Sequence, residues 1–257
     1  MKLNMKLIQA SMMVAMGVAS VSASAAVFPD FTFDPAASAP FVADKMTGNY
    51  TEIVTFDGLG NFATSIQWSA GQFVANDGNT ALTAGVTRLG VDYGMYALFQ
   101  GTGTVALVAG VFQFTFNTGS LGLWIDPQND ATFAAPGTGA GAWTIGGAAD
   151  DQIGAGSLLQ GSGNLNAACV GINCGSFGTI TDFALVGPGA SYFTAPNPFY
   201  DLSFESGQLN SFEVAGTQQI NGSLDVVFGK VPEPTSIALL GLGLIGMGVS
   251  LRRSKQA

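Results

Sequence analysis

Cys169 and Cys174 stand five apart in Cys-Val-Gly-Ile-Asn-Cys and are the only thiols of the 257-residue chain. Outside the cytoplasm such a pair oxidises to a local disulfide, here across a Gly-rich turn at 171–175. The closed loop is short, so its stabilisation is modest, under about 3 kcal/mol. A redox-active pair is the sharper alternative, but thioredoxin-like sites use Cys-x-x-Cys. Asp126, Asn129 and Asp130 place three oxygen side chains in one turn, Asp-Pro-Gln-Asn-Asp. Calcium takes such hard donors. The same residues also make an ordinary solvated turn, and EF-hand spacing is missing. Asp150-Asp151 is a weaker cation candidate of the same kind. Beyond calcium no cofactor is expected. Of the three tryptophans, Trp68 and Trp124 sit in strand-like runs and read as core. Trp143 lies in a Gly-rich segment and is expected to be exposed, which makes it the candidate for stacking on a sugar ring.

Other chemistries are closed by composition. The chain has no histidine, so the commonest general base and the commonest transition-metal ligand are missing. Ser-His-Asp and Cys-His nucleophilic systems cannot be assembled from it, and a zinc site loses its usual donors. Lysine chemistry would have only Lys45 and Lys230 in the body to draw on. Two carboxylates could hydrolyse a glycoside, but 16 acidic residues scattered over 27–231 mark no preferred pair. An enzyme is therefore not expected. Those acids face 3 basic residues, a net charge of −13 for the body. Binding nucleic acid through phosphates needs clustered Lys and Arg, which this balance excludes.

The elements that would position these groups are strands. Short β-branched and aromatic runs are bounded by Gly, Asn, Asp or Pro, as at 50–56, 62–74, 93–99, 104–116, 121–125, 179–186, 200–205 and 223–228. Asp57-Gly58 and Asn76-Asp77-Gly78 supply turn chemistry between them. No stretch of the body has a capped 3.6-residue period. The expected fold is all-β, a single β-sandwich or jelly-roll-like domain over 27–231. The Pro- and Ala-rich stretch 28–40 reads as a loosely held arm, and 128–163 as a long Gly- and Ala-rich loop.

The two ends read differently. Lys2 and Lys6, an apolar run to Val21 and the small residues Ser22-Ala23-Ser24-Ala25-Ala26 have the order of a signal peptide over 1–26, cut by signal peptidase. At the other end, Val231-Pro232-Glu233-Pro234 precedes an uncharged run at 235–251, followed by Arg252-Arg253-Ser254-Lys255. As a helix that run is roughly 25 Å long, at the short end of a transmembrane span. The basic stub would mark its cytoplasmic flank. The body would then be exported, with a tail at 232–257 anchoring it transiently in the inner membrane.

In order and position, Val231, Pro232, Glu233, Pro234, the apolar helix and Arg252-Arg253 resemble the bacterial PEP-CTERM sorting signal. The resemblance implies an exosortase that removes the tail near the Pro-Glu-Pro and releases the body to the cell surface or extracellular matrix. Several body segments are similar to a narrower group, the flocculation-associated PEP-CTERM proteins. They are Ala43 to Glu52 (Ala-Asp-Lys-Met-Thr-Gly-Asn-Tyr-Thr-Glu), Gly-Ser-Leu-Gly-Leu-Trp ending at Trp124, Asn-Cys-Gly-Ser-Phe-Gly from Asn173, and Asn-Gly-Ser-Leu-Asp-Val-Val-Phe from Asn221. That likeness implies a structural matrix protein promoting cell aggregation with exopolysaccharide, and it carries no catalytic residues. A carbohydrate-binding module gripping exopolysaccharide is the alternative expectation, and a two-carboxylate hydrolase a third.

Overall fold

The computed structural model describes residues 28–35 and 39–230. The signal-peptide segment and the sorting residues Val231, Pro232, Glu233, Pro234, Arg252 and Arg253 lie outside the described residues, as does the helix expected at 235–251. Among the described residues, no helix is long and apolar enough to cross a membrane.

The strands in chain order are β1 (Phe31–Phe33), β2 (Phe41–Ala43), β3 (Lys45–Phe56), β4 (Asn61–Ala75) and β5 (Thr80–Ala81). Then come β6 (Gly94–Val108), β7 (Val111–Asp126), β8 (Thr132–Ala134), β9 (Thr144–Gly146) and β10 (Asp151–Asn166). The last are β11 (Gly175–Asp182), β12 (Ala184–Leu185), β13 (Phe193–Ala195), β14 (Leu202–Leu209) and β15 (Thr217–Gly229). One-turn helices at Ala84–Thr87 and Gly189–Tyr192 complete the described elements.

The all-β expectation holds, and the topology narrows it. Strands β3, β4, β6, β7, β10, β11, β14 and β15 pair in that order, each antiparallel to the next. β15 then pairs back onto β3, with Thr217 opposite Thr55 and Val226 opposite Met46. The meander is thus closed on itself as an eight-stranded up-and-down barrel. Closure removes the free edges that an open sandwich would expose. Eight strands enclose a space just wide enough for side chains to fill, and here, apart from small cavities of about 40 and 30 Å³, inward side chains fill it.

Period-two alternation places them. In β3, Met46, Tyr50, Glu52, Val54 and Phe56 are buried inside the barrel. Lys45, Thr47, Asn49, Thr51, Ile53 and Thr55 alternate with them on the outer side, all polar but Ile53, which is itself covered. Apolar-in and polar-out is the reverse of a lipid-facing barrel.

Aromatic clusters close both ends. At one, β1 sits between β2 and β13 as a three-stranded lid. Phe31 and Phe33 are 1% and 0% exposed and make tilted and edge-to-face contacts with Phe73, Phe193 and Phe228. The part of the expected loose arm that forms β1 is therefore docked. Burying each ring contributes about 1.5–3 kcal/mol, so the two together are of the same order as the cost of fixing the three residues of β1 at about 1–2 kcal/mol each. At the other end, Phe212 reaches in from the β14–β15 loop to lie against Phe56 and Phe114.

Two further expectations are corrected. The run 104–116 is two strands, because Ala109 and Gly110 both take positive φ and turn the chain. The expected loop 128–163 ends within β10, a full barrel strand over Asp151–Asn166. Its glycines hid it. Gly154 and Gly161 lie where the rings of Phe183 and Phe116 cross the strand, so a Cβ at either would be within 3.0 Å of those rings.

Candidate functional site

A groove of about 310 Å³ runs over the outer surface of β4, β6 and β7. Its floor is set by register. Ser65 of β4 lies opposite Gln100 of β6, and Gln100 lies opposite Ser120 of β7, so three polar side chains line up across adjacent strands. Two rows along, past Leu98 and Gly122, Tyr96, Trp124 and Gln152 are paired in the same way. Trp124 lies down over Gly122, where a Cβ would come within 2.1 Å of the indole. Its face is stacked on Tyr96, with centroids 5.5 Å apart and planes 7° from parallel. Only a glycine at 122 leaves room for that pose.

The wall is the β7–β10 crossover, which bears the β8–β9 hairpin and folds back on the barrel. Gln100 Nε2 donates to Gly141 O at 2.7 Å, and the Gly139 amide donates to Thr55 Oγ1 at 2.9 Å. Trp143, expected to be exposed, is instead 9% exposed. The crossover presses it onto the sheet, where it lines the groove beside Ala142. Its Nε1 is buried without a hydrogen-bond partner, as is Ser65 Oγ in the same groove. Trp68 is core, as expected, and its Nε1 donates to Leu224 O at 3.1 Å. Trp124 is half-buried rather than core.

The oxygen cluster serves its own turn. Asp126 accepts from the amides of Gln128 at 3.2 Å and Ala131 at 2.8 Å. Asn129 Nδ2 donates to Gly90 O at 3.2 Å, and Asp130 accepts from the Ala148 amide at 3.1 Å. Asn129 Oδ1 and Asp126 Oδ2 lie beside the same point next to Gly94, and among the described residues no cluster of three or more His, Cys, Asp or Glu is placed to hold a metal. Asp150 accepts from the Tyr96 hydroxyl at 2.6 Å. Burial raises its carboxyl, the Tyr96 bond opposes the rise, and Asp126, Asp130 and Asp151 add to it. The Cys169–Cys174 disulfide forms as expected. It closes the turn between β10 and β11.

Two carboxyls inside the barrel escaped the sequence reading. Glu52 accepts from Thr64 Oγ1 at 2.5 Å, and burial pushes its carboxyl up to about 7 against that bond. Glu205 accepts from Ser203 at 2.5 Å and Thr179 at 2.7 Å. Burial raises it too, opposed by the hydroxyls of Ser203, Thr179 and Thr181. Among the described residues neither forms an ion pair; the ion pairs are Lys45 with Asp225 and Arg88 with Asp92. Glu205 borders a cavity of about 40 Å³ between Trp68, Phe99, Phe116 and Phe228. The signal for Glu52 was available in the alternation Tyr50, Glu52, Val54, Phe56, which puts it on the inner face.

Residues 230–254 match the family model described as the PEP-CTERM protein-sorting motif. The chain therefore carries a PEP-CTERM sorting signal, which implies an exported protein with a transient membrane anchor and an exosortase as its processing partner. No curated protein and no solved structure matches the chain.

Proposed function

We propose that the exported, trimmed body remains at the cell surface or in the extracellular matrix and supports cell aggregation with exopolysaccharide, as a structural component and not as an enzyme. The observation that carries this is the sorting motif at 230–254, which begins where the last barrel strand ends at Gly229. A barrel with a polar outer face and closed edges suits a protein that must persist outside the cell without pairing strand to strand. The lack of histidine and the likeness of the body segments to flocculation-associated proteins support the same reading. Signal peptidase would act at the front, and no nucleic acid is a partner.

Deleting residues 232–257 tests this. Loss of normal release together with loss of flocculation is expected. Unchanged secretion and flocculation in that strain would overturn the proposal. Direct grip on the polysaccharide is the second reading, favoured by the groove beside Trp124 and Trp143.

A further inference from the structure

We propose that the groove between Trp124 and Trp143 is a binding site for a neutral polysaccharide chain, taking a short stretch of uncharged pyranose units across the outer face of β6 and β7. This deepens the matrix reading above and rests on it for the biological source of the chain, but not for the chemistry of the site.

The lining has the mixture that sugars require. Pyranoses present apolar C–H faces and rings of hydroxyls that both donate and accept. Aromatic side chains offer area for the first, and amide and hydroxyl side chains offer partners for the second. Trp124 supplies a half-buried indole held by its stack on Tyr96. Gln100, Ser120 and Gln152 are exposed beside it. Adjacent strands are about 4.8 Å apart, so the floor presents a polar side chain at each strand step along a line crossing the sheet. The volume, about 310 Å³, falls at the lower end of the range of about 300–1,000 Å³ for small-ligand sites.

A second observation points to a ligand independently of this composition. Trp143 Nε1 and Ser65 Oγ are buried and unpartnered, and both belong to the groove. A buried donor left unpaired costs about 1–3 kcal/mol, and such groups are rare enough to need a reason. Both residues border the groove, so a ligand seated there is a source of hydroxyl partners for them.

Charge selects the class. Every groove side chain named here is uncharged, while the surroundings are acidic. Asp150 is bonded to Tyr96, Asp151 precedes Gln152, and the body as a whole carries −13. Among the described residues, no Lys or Arg lines the groove. An anionic chain such as a uronate polymer would therefore meet repulsion without a compensating cation, and a neutral one would not.

The test uses the exported protein purified from culture medium. Binding is measured by tryptophan fluorescence and calorimetry against neutral hexasaccharides (cello-, malto- and laminari-series), the neutral polysaccharide fraction of the producing cells, and alginate oligomers as the anionic arm. Saturable binding to a neutral chain is expected, with at least tenfold weaker binding in Gln152→Ala and in Trp143→Phe. The first removes an exposed amide, and the second deletes the Nε1 donor while keeping an aromatic bulk, so both should fold with unchanged circular dichroism. Absence of binding to every neutral probe, equal binding by both variants, or preference for alginate would each overturn the proposal. Flocculation of a deletion strain separates this from the matrix role. If aggregation is lost with the gene but no glycan binds, the groove assignment falls and the matrix role stands. If glycan binds but the deletion strain still flocculates, the reverse holds.

Discussion

Gly48 and Trp68 meet face to face inside the barrel. A Cβ on Gly48 would lie 2.6 Å from Trp68 Nε1 and 2.1 Å from Ser69 O. The indole therefore rests on bare backbone, which leaves its N–H free to reach Leu224 O at 3.1 Å across the interior. One residue without a side chain thus ties β3, β4 and β15 together. Gly48→Ala should overpack this contact and cost about 1–3 kcal/mol. The measure is the urea midpoint at constant slope, and an unchanged midpoint would count against the packing described.

Gly156 tests whether β10 is a barrel strand. A Cβ there would fall 2.0 Å from the backbone oxygen of Asp182, an atom that cannot swing aside. Gly156→Ala should cost more than about 2 kcal/mol and lower the thermal midpoint by several degrees. A glycine in a free loop would accept alanine at no cost, so a neutral result would mean that β10 is not seated as described.

Glu52 makes stability depend on pH. Its carboxyl titrates at about 7 in the folded barrel against an ordinary value of 4.5. Between those values the unfolded chain releases the proton while the folded one retains it. Folding stability from this group is thus greatest below about pH 4.5, falls as pH rises, and levels off above about 7. The expected loss is roughly 3 kcal/mol across that window. Glu52→Gln keeps an oxygen for Thr64 and removes the charge. The variant should be more stable than the native protein at pH 8 and nearly equal to it at pH 4. Denaturation curves at the two pH values check this, and parallel pH profiles would refute it. Glu205, also raised by burial, adds a slope of the same sign that Glu52→Gln leaves in place.

The Cys169–Cys174 bridge closes a loop with a sequence separation of 5. Constraining so short a loop contributes about 2 kcal/mol. The ladder beside it persists without the bond, since the Cys174 amide donates to Leu209 O at 2.8 Å and the Asn166 amide to Cys174 O at 2.9 Å. Reduction, or the double substitution Cys169→Ser with Cys174→Ser, should lower the denaturation midpoint by that amount and leave the far-ultraviolet spectrum of a β protein intact. Complete unfolding on reduction would show that the turn carries more of the barrel than its contacts indicate.

What the amino-acid order determined alone is local or covalent. Alternation in 50–56 and 62–74 is a period of two, visible without neighbours, and it predicted β3 and β4 and the all-β class. The turn at Asn76-Asp77-Gly78, where all three residues take positive φ, follows from residues that tolerate that conformation. Two cysteines five apart could pair only with each other, and the sorting motif is read directly from its string of residues. Tertiary structure decided whatever depends on partners distant in the chain. Closure needs β15 to find β3, some 170 residues away, and no local pattern encodes that meeting. β10 is a strand by its pairing with β7 and β11, and its glycines leave room for the rings of Phe183 and Phe116, so its own composition spoke for a loop. Trp143 is buried because the crossover that carries it folds back on the sheet, bringing it beside Trp124 and Ser65. Secondary preference is a property of neighbours along the chain, whereas burial and grooves are properties of neighbours across it, and only the closed barrel sets the latter.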